Sequence, residues 1–216
     1  MPSAATHLRL LLTLLWQGEL GEQREIRIAG EVCIVPSGTR LKAFRLSDGK
    51  PLWSYELRER SGIFKLPSRI QALQVFPVSP PPAFGLPVAR SCAPRRYHCC
   101  VAGRSEVLCL EARSGIPRWH RRKVDGCVLA LYRVGDLDFD GTEDLVCCGC
   151  NYAECYSGRT GALFWKYRVS GRALWAGPCG DLDGDGFGEV LLQSGTKLEV
   201  LSSPEPEEVK VLFSIY

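Results

Sequence analysis

The chain has 216 residues, of which 45% are hydrophobic and 24% are charged, and its formal net charge is +3. This is enough chain for one large all-β domain or two small ones. The net charge is too small to indicate a protein that binds nucleic acid or acidic membranes by its field alone, and we expect no nucleic acid among its partners.

The N-terminal segment, residues 1–28, carries a short apolar run at residues 8–16 that is interrupted by Arg9. Such a run cannot cross a bilayer, which takes about 20 residues. We expect a helix or a first strand here, with a weak signal peptide as the alternative. No other segment is apolar over enough residues, so the sequence predicts no transmembrane span.

Residues 29–216 contain a repeated pattern. Three segments, residues 38–53, 103–119 and 151–165, are alike, and a shortened fourth copy begins at Gly195. Each full copy has a short strand, a turn that ends in glycine, and a second strand that carries a tryptophan. Glycine supplies the positive φ that a tight hairpin requires, and the tryptophan can cap the hairpin or fill the gap between neighbouring sheets. The turn glycines are Gly49, Gly115 and Gly161, and the tryptophans are Trp53, Trp119 and Trp165.

The spacing of the tryptophans indicates one insertion. Trp119 and Trp165 are 46 residues apart, whereas Trp53 and Trp119 are 66 apart. The additional residues correspond to a proline-rich stretch at residues 77–96. Because proline is excluded from the interior of a sheet, we expect this stretch to be an exposed loop between strands.

A period near 46 residues with four short strands per unit is typical of a β-propeller blade. The sequence therefore predicts an all-β chain that forms a β-propeller arc of about four blades. We favour an incomplete ring over a small closed ring of four blades, because the first blade is poorly defined. The later strands are expected at residues 128–132, 145–148, 174–178, 190–193 and 209–214.

Two nearly identical acidic loops lie 45 residues apart, one in each of two consecutive units. Carboxylates at positions 1, 3 and 5 converge when the chain curls around a cation, and glycine at position 6 permits the turn. A carbonyl at position 7 and a carboxylate at position 9 complete an oxygen cage that suits calcium. The candidate ligands are Asp136, Asp138, Asp140, Thr142 and Asp144 in the first acidic loop (residues 136–144), and Asp181, Asp183, Asp185, Phe187 and Glu189 in the second (residues 181–189).

Two other interpretations of these loops are possible. An EF-hand begins in the same way but requires glutamate at position 12, where this chain has Cys147 and Leu192. We therefore reject the EF-hand. A turn rich in Asp and Gly that needs no metal remains open. If calcium binds, its role is structural.

The acidic loops, each followed by an apolar strand, resemble the FG-GAP repeats of integrin-α propellers. The hairpins at residues 47–53 and 158–165 resemble the quinoprotein-type (PQQ-like) blade repeat, and similar acidic loops occur in propeller subunits of the Bardet–Biedl ciliary complex. The resemblance covers roughly residues 30–216. It implies a propeller fold, and calcium ligands at Asp136, Asp138, Asp140 and Asp144 and at Asp181, Asp183, Asp185 and Glu189.

The chain has 11 cysteines, an odd number that cannot all pair within one chain. Cys99 and Cys100, and Cys147 and Cys148, are neighbours on strands, so the members of each pair should point to opposite faces. We expect reduced, buried thiols. Together with the absence of a glycosylation sequon, this favours a cytoplasmic location over a secreted or membrane-associated one. Zinc is a less favoured alternative for Cys147, Cys148, Cys150 and Cys155.

The sequence offers no clear catalytic constellation. Its three histidines, His7, His98 and His120, have no evident nucleophile partner, and we expect them to be isolated on the surface. The favoured function is therefore a non-catalytic module that binds protein partners within a larger assembly. The alternatives are an extracellular or membrane-protein ectodomain and a degenerate quinoprotein-type enzyme.

Overall fold

The computed structural model describes residues 26–61, 64–67, 69–79, 96–122, 127–205 and 208–215. Most of the N-terminal segment expected at residues 1–28, and residues 80–95 of the proline-rich insertion, lie outside these ranges. Every regular element among the described residues is a β-strand. The part of the chain that the structure describes contains no helix long and apolar enough to cross a membrane.

The strands form four consecutive antiparallel units, which we call blades 1 to 4. Blade 1 contains β1 (Arg27–Ala29), β2 (Val32–Ser37), β3 (Arg40–Arg45) and β4 (Pro51–Glu56), and blade 2 contains β7 (Ala72–Val78), β8 (Arg96–Ala102), β9 (Glu106–Glu111) and β10 (Pro117–Arg122). The hairpin of β5 (Arg58–Ser61) and β6 (Phe64–Pro67) lies between them in the chain. Blades 3 and 4 share β11 (Val128–Arg133), β12 (Leu145–Tyr156), β13 (Leu163–Gly180), β14 (Glu189–Ser194), β15 (Lys197–Glu205) and β16 (Glu208–Ile215).

Blades 3 and 4 are joined through the long strand β13. Residues 163–172 of β13 pair with β12 in blade 3, and residues 173–180 pair with β14 in blade 4. β12 changes partner in the same way, because residues 145–149 pair with β11 and residues 150–156 pair with β13. Asn151, where this change occurs, has a φ of 68°.

Three apolar cores fill the gaps between consecutive blades. Cys99 belongs to the core between blades 1 and 2, while its neighbour Cys100 belongs to the core between blades 2 and 3. Cys147 and Cys148 divide in the same way, between the second and the third core. The predicted alternation of these cysteine pairs is therefore confirmed, and it follows from the two-residue period of a strand.

Tryptophan connects one blade to the next. The Trp53 indole N–H donates to the Ala112 carbonyl (2.9 Å), and the Trp119 indole N–H donates to the Gly158 carbonyl (3.0 Å). Each ring also lies against a turn glycine of the following blade: a methyl group added at Gly115 or Gly161 would stand only 2.6 or 2.5 Å from a ring carbon. The tryptophans therefore fill the space between sheets, one of the two roles expected for them.

The predicted fold class is confirmed. The inner strands follow one another around the fold, with β7 beside β1, β11 beside β7, and β13 beside β11. The described strands of blade 1 pack against blade 2 and those of blade 4 against blade 3, so the four blades form an arc of an incomplete propeller. Every strand expected from the later repeats is present, and blade 1 has a complete set of four.

Proline within strands is the main departure from expectation. Pro77, which the sequence pattern places in the exposed loop, lies within β7 opposite Tyr97. β7 is the edge strand of its sheet. A residue without an N–H is tolerated there because one side of an edge strand needs no ladder hydrogen bond.

Candidate metal centre

Each acidic loop joins the first two strands of its blade. The first acidic loop lies between β11 and β12, and the second lies between β13 and β14. In both, the carboxylate at position 1 accepts backbone N–H groups from the far side of the loop: Asp136 from Asp140 (3.0 Å) and Gly141 (2.8 Å), and Asp181 from Gly184 (2.7 Å) and Gly186 (3.1 Å). These bonds curl the chain so that its carboxylates turn inward.

The carboxylate at position 9 closes each loop where the next strand begins. Asp144 and Glu189 are both fully buried. Each accepts the backbone N–H of the residue at position 2, Leu137 (2.7 Å) in the first loop and Leu182 in the second. The loops are therefore built alike, as their sequences predict.

All four carboxylates of the second loop converge. One oxygen from each of Asp181, Asp183, Asp185 and Glu189 lies within 4.8 Å of the others. The Oε1 atom of Glu189 is buried and accepts no hydrogen bond. Within the described ranges, these carboxylates form no ion pair with a lysine, arginine or histidine. A buried carboxylate oxygen without a partner is costly, and a cation among the four carboxylates would remove that cost.

The first loop differs because a cationic side chain of the protein, that of Arg159, lies against it. Asp136, Asp138 and Asp144 converge, but Asp140 does not join them. Instead, its Oδ2 atom accepts a hydrogen bond from the Nε of Arg159 at 3.0 Å. The guanidinium also donates to the carbonyl oxygens of Asp140 (2.6 Å) and of Ser79 at the end of β7 (2.8 Å).

The electrostatics of both loops favour a bound positive charge. Burial raises the pKa of Asp144 to about 7, although its hydrogen bonds from Gly158 and Leu137 oppose the shift. Burial also raises the pKa of Glu189, and the neighbouring aspartates of its loop add to the increase. Partial desolvation inside the loop raises the pKa of Asp138 first, and the charge of Asp140 adds to the increase. Carboxylates that resist ionisation in this way are stabilised by a cation.

The donor set fits calcium on chemical grounds. Every converging donor is a carboxylate oxygen, and hard oxygen donors suit calcium or magnesium better than zinc. The backbone carbonyls of Thr142 and Phe187 remain predicted ligands. The Thr142 residue is fully buried and forms a β-bridge with Val78 of blade 2, whereas Phe187 is 40% exposed.

The two loops also touch each other. The rings of Phe139 and Phe187 are 6.3 Å apart between centroids, and a methyl group added at Gly188 would lie 3.3 Å from Leu137 Cδ2. Phe139 has a φ of 56°, in the region that favours glycine, and the matching position of the second loop is Gly184, with a φ of 76°. Both loops therefore require the same left-handed turn.

One expectation about the other candidate residues is wrong, and the less favoured zinc alternative is not supported. His98 is not on the surface: it is 8% exposed, and its Nδ1 lies 3.3 Å from the Gly158 carbonyl oxygen. The four cysteines proposed for zinc do not converge among the described residues. Cys148 and Cys155 pack in the core between blades 3 and 4, Cys147 packs in the core between blades 2 and 3, and the Cys150 thiol contacts Cys127 instead.

Arg159 and Cys127 are the residues of interest that sequence reasoning missed. Arg159 lies in the glycine-containing turn before the third repeated tryptophan, and a basic residue in that turn was the available signal. Cys127 precedes β11 and forms no motif with Cys150, which is 23 residues further along. Only the pairing of β11 with β12 brings the two thiols together.

No protein-family model matches the chain, and no curated protein matches it in sequence. Solved structures do match in fold. BamB from Moraxella catarrhalis superposes with a TM-score of 0.54 at 16% identity, over 88% of this chain and 47% of that one. The computationally designed Ika8 protein gives a TM-score of 0.58 at 11% identity, over 92% of this chain and 50% of that one.

A third match is weaker. BBS1N, solved in complex with ARL6DN and soaked with lead, gives a TM-score of 0.39 at 13% identity, over 83% of this chain and 64% of that one. At these identities the likeness to BamB and Ika8 concerns the fold alone. The chain spans about half the length of each of these two proteins.

Proposed function

We propose that this chain is a non-catalytic β-propeller module that binds protein partners within a larger assembly and is stabilised by calcium in an FG-GAP-type loop. The observation that carries the calcium proposal is the convergence of Asp181, Asp183, Asp185 and Glu189 around a buried, unpartnered Glu189 oxygen. The ion offsets part of the negative charge of the four carboxylates and holds β13 and β14 in register at the loop. Its role is structural.

Calcium is preferred over magnesium because of how the ligands are supplied. Four side chains and the expected Phe187 carbonyl provide most of a six- to eight-oxygen shell from one short loop. Magnesium demands a near-ideal octahedron and retains several waters, so it is seldom held by so many protein ligands. In a cytoplasmic location, which we also propose, the site fills when calcium rises.

The last strand supports the proposal of protein partners. β16 is the edge strand of blade 4, and its unpaired side offers backbone hydrogen-bonding groups. Four of its apolar residues are between 40% and 54% exposed: Val211, Leu212, Phe213 and Ile215. An apolar edge of this kind is typical of a surface that another chain covers. We propose that a protein partner pairs with or packs on β16.

The calcium proposal is tested by thermal unfolding of the full chain in calcium, in magnesium and after chelation. Calcium at millimolar concentration should raise the Tm by several degrees, and magnesium should raise it less. Asp181→Asn should abolish the calcium shift. Asp48→Asn is the matched control, because Asp48 also lies in an Asp-Gly turn but outside both acidic clusters, so it should leave the shift intact. An unchanged wild-type Tm in calcium would refute the proposal.

The partner proposal is tested by the mass of the native assembly isolated from the cells that make this protein. We expect a mass well above 23.9 kDa, with protein cross-links to β16. Phe213→Asp should reduce the mass of the assembly to that of the chain alone. Ile116→Asp is the control, because Ile116 is equally exposed (55%) but lies in the turn between β9 and β10. A wild-type chain that elutes at its own mass would contradict the proposal.

A further inference from the structure

Two thiols meet where blade 3 begins. Val128, the first residue of β11, is opposite Gly149 in β12. The next residues outward are Cys127 and Cys150, and the Cys150 N–H donates to the Cys127 carbonyl (3.2 Å). Their Sγ atoms are 2.8 Å apart. The fold therefore holds the two side chains against each other without any motif in the sequence.

The pair is also accessible to small molecules. Cys127 and Cys150 are only partly buried, whereas seven of the other eight described cysteines are fully buried. Accessibility decides which thiols react, since an oxidant must reach the sulfur. Cys179 is partly buried as well, so it provides a second site for comparison.

In a second cysteine pair of the fold, the two thiols are also close together, but solvent and small molecules cannot reach them. Cys100 and Cys109 face each other across β8 and β9 and share a hydrogen bond. Both are 0% exposed and belong to the core between blades 2 and 3. This pair is a natural control, because its two thiols also contact each other but are fully buried.

We propose that Cys127 and Cys150 are a redox-responsive dithiol that closes to an intramolecular disulfide by exchange with a low-molecular-weight disulfide such as oxidised glutathione. The bond would tie the residue before β11 to the point where β12 changes partner, and so fasten the entry of blade 3 to its own sheet. This proposal is independent of the calcium site. It concerns thiols that the chain was expected to keep buried and reduced.

The chemistry proceeds by two exchange steps. The thiolate of one cysteine attacks a sulfur of oxidised glutathione, which forms a mixed disulfide and releases one glutathione thiolate. The second cysteine then loses its proton and attacks the protein sulfur of that mixed disulfide, which releases the second glutathione. The two protein thiols are oxidised by two electrons, and their two protons end on the two glutathione molecules.

The local charges set the conditions for exchange. The hydrogen bond that the Cys150 thiol shares with Cys127 raises the pKa of Cys150 first, and burial adds to the increase, whereas Arg172, which is opposite Cys150 in the β12–β13 ladder, lowers it. Because the thiolate is the nucleophile, exchange should be faster at mildly alkaline pH than at neutral pH.

The test equilibrates the full, folded chain with defined ratios of reduced to oxidised glutathione, followed by acid quenching, alkylation and mass spectrometry. The mass of the wild type should fall by that of two hydrogen atoms, and two fewer thiols should be alkylated. Digestion should give one cross-linked peptide that joins Cys127 to Cys150. Cys127→Ser and Cys150→Ser should each retain one glutathione as a stable mixed disulfide. Cys100→Ser and Cys179→Ser should behave as the wild type.

Three outcomes would overturn the proposal. The first is that no Cys127–Cys150 peptide forms even in excess oxidised glutathione. The second is that the cross-link joins other cysteines. The third is that Cys100→Ser or Cys179→Ser removes the cross-link. Circular dichroism of each serine variant confirms that its strands are retained before its exchange is measured.

Discussion

The guanidinium of Arg159 takes the side chain of Asp140 out of the first acidic loop, with 3.0 Å between Nε and Oδ2. The same guanidinium bonds the carbonyl oxygens of Asp140 and Ser79. It thereby connects the acidic loop of blade 3 to the end of the inner strand of blade 2. In the second loop, Asp185 instead remains with its three companion carboxylates. Two loops of nearly the same sequence thus differ in charge balance: Arg159 lies against the first loop, whereas the described residues place no cationic side chain against the carboxylates of the second.

The first prediction follows from this difference. Arg159→Met removes the cation and its three hydrogen bonds while it keeps much of the side-chain length. We expect the free energy of unfolding of the metal-free protein to fall by about 1.5–3 kcal/mol, the range for hydrogen bonds to charged groups. Asp140 is then free to join Asp136, Asp138 and Asp144, so the calcium-induced rise in Tm should exceed that of the wild type. Unfolding with calcium and after chelation measures both effects.

Arg133→Met is the control for Arg159→Met. Arg133 pairs with Glu143 at 3.3 Å, but both side chains are more than one-third exposed. Exposed pairs contribute about 0–1 kcal/mol. Equal decreases in the free energy of unfolding of the two variants would show that Arg159 has no special role in the first loop.

The second prediction concerns the contact of Trp119 with Gly161. Gly161 has a φ of 71°, and a methyl group there would lie 2.5 Å from the Trp119 ring. Gly195 has a similar φ of 60°, but a methyl group there would meet nothing within 4 Å. Gly161→Ala and Gly195→Ala therefore share the cost of backbone strain and differ in the clash. We expect Gly161→Ala to be the less stable by about 1–3 kcal/mol, as measured by denaturant unfolding.

The third prediction concerns the hydrogen bond of the same tryptophan. Trp119→Phe retains an aromatic ring but leaves the Gly158 carbonyl without the indole N–H. Because the Nδ1 atom of His98 still lies 3.3 Å from that carbonyl oxygen, the expected loss of stability is about 0.5–1.5 kcal/mol, the net contribution of one hydrogen bond. Trp175→Phe is the control, because Trp175 is 41% exposed and its replacement should change stability by less than about 0.5 kcal/mol. Similar losses in both variants would contradict a blade-joining role for Trp119.

The fourth prediction is a dependence of metal-free stability on pH. The pKa of Asp144 is about 7 in the folded chain, above its ordinary 3.8, and the pKa of Glu189 is also raised. Folding therefore takes up protons between about pH 4 and pH 7, and the contribution of these groups to stability falls as pH rises through that window. Asp144→Asn should show a weaker fall than the wild type.

Calcium should oppose the part of this pH dependence that comes from Glu189, because Glu189 is a proposed ligand in the second loop. The ion binds the ionised carboxylates, so protons compete with it, and its stabilising effect should grow as pH rises from 5 to about 7.5. Melting curves at several pH values, with and without calcium, give both slopes. A metal-free wild type that responds to pH as Asp144→Asn does would show that burial of Asp144 has no such effect.

Local sequence determined much of this molecule. The repeated turn glycines and tryptophans specify hairpins whose period places four blades along the chain, and the strands appear where the repeats predict them. The alternation of Cys99 with Cys100 and of Cys147 with Cys148 follows from strand geometry alone. Similarly, the positions of acid and glycine in residues 136–144 and 181–189 specify two curled loops, because their contacts lie within a few residues of each other.

Tertiary structure decided the features that depend on distant residues. Arg159 meets Asp140 only because the turn after β12 lies beside the first acidic loop, and Cys127 meets Cys150 only because β11 pairs with β12. His98 is buried because blade 3 covers it. A periodic sequence specifies the unit and its local hydrogen bonds, whereas the packing of one blade on the next determines which charges are neutralised and which thiols meet.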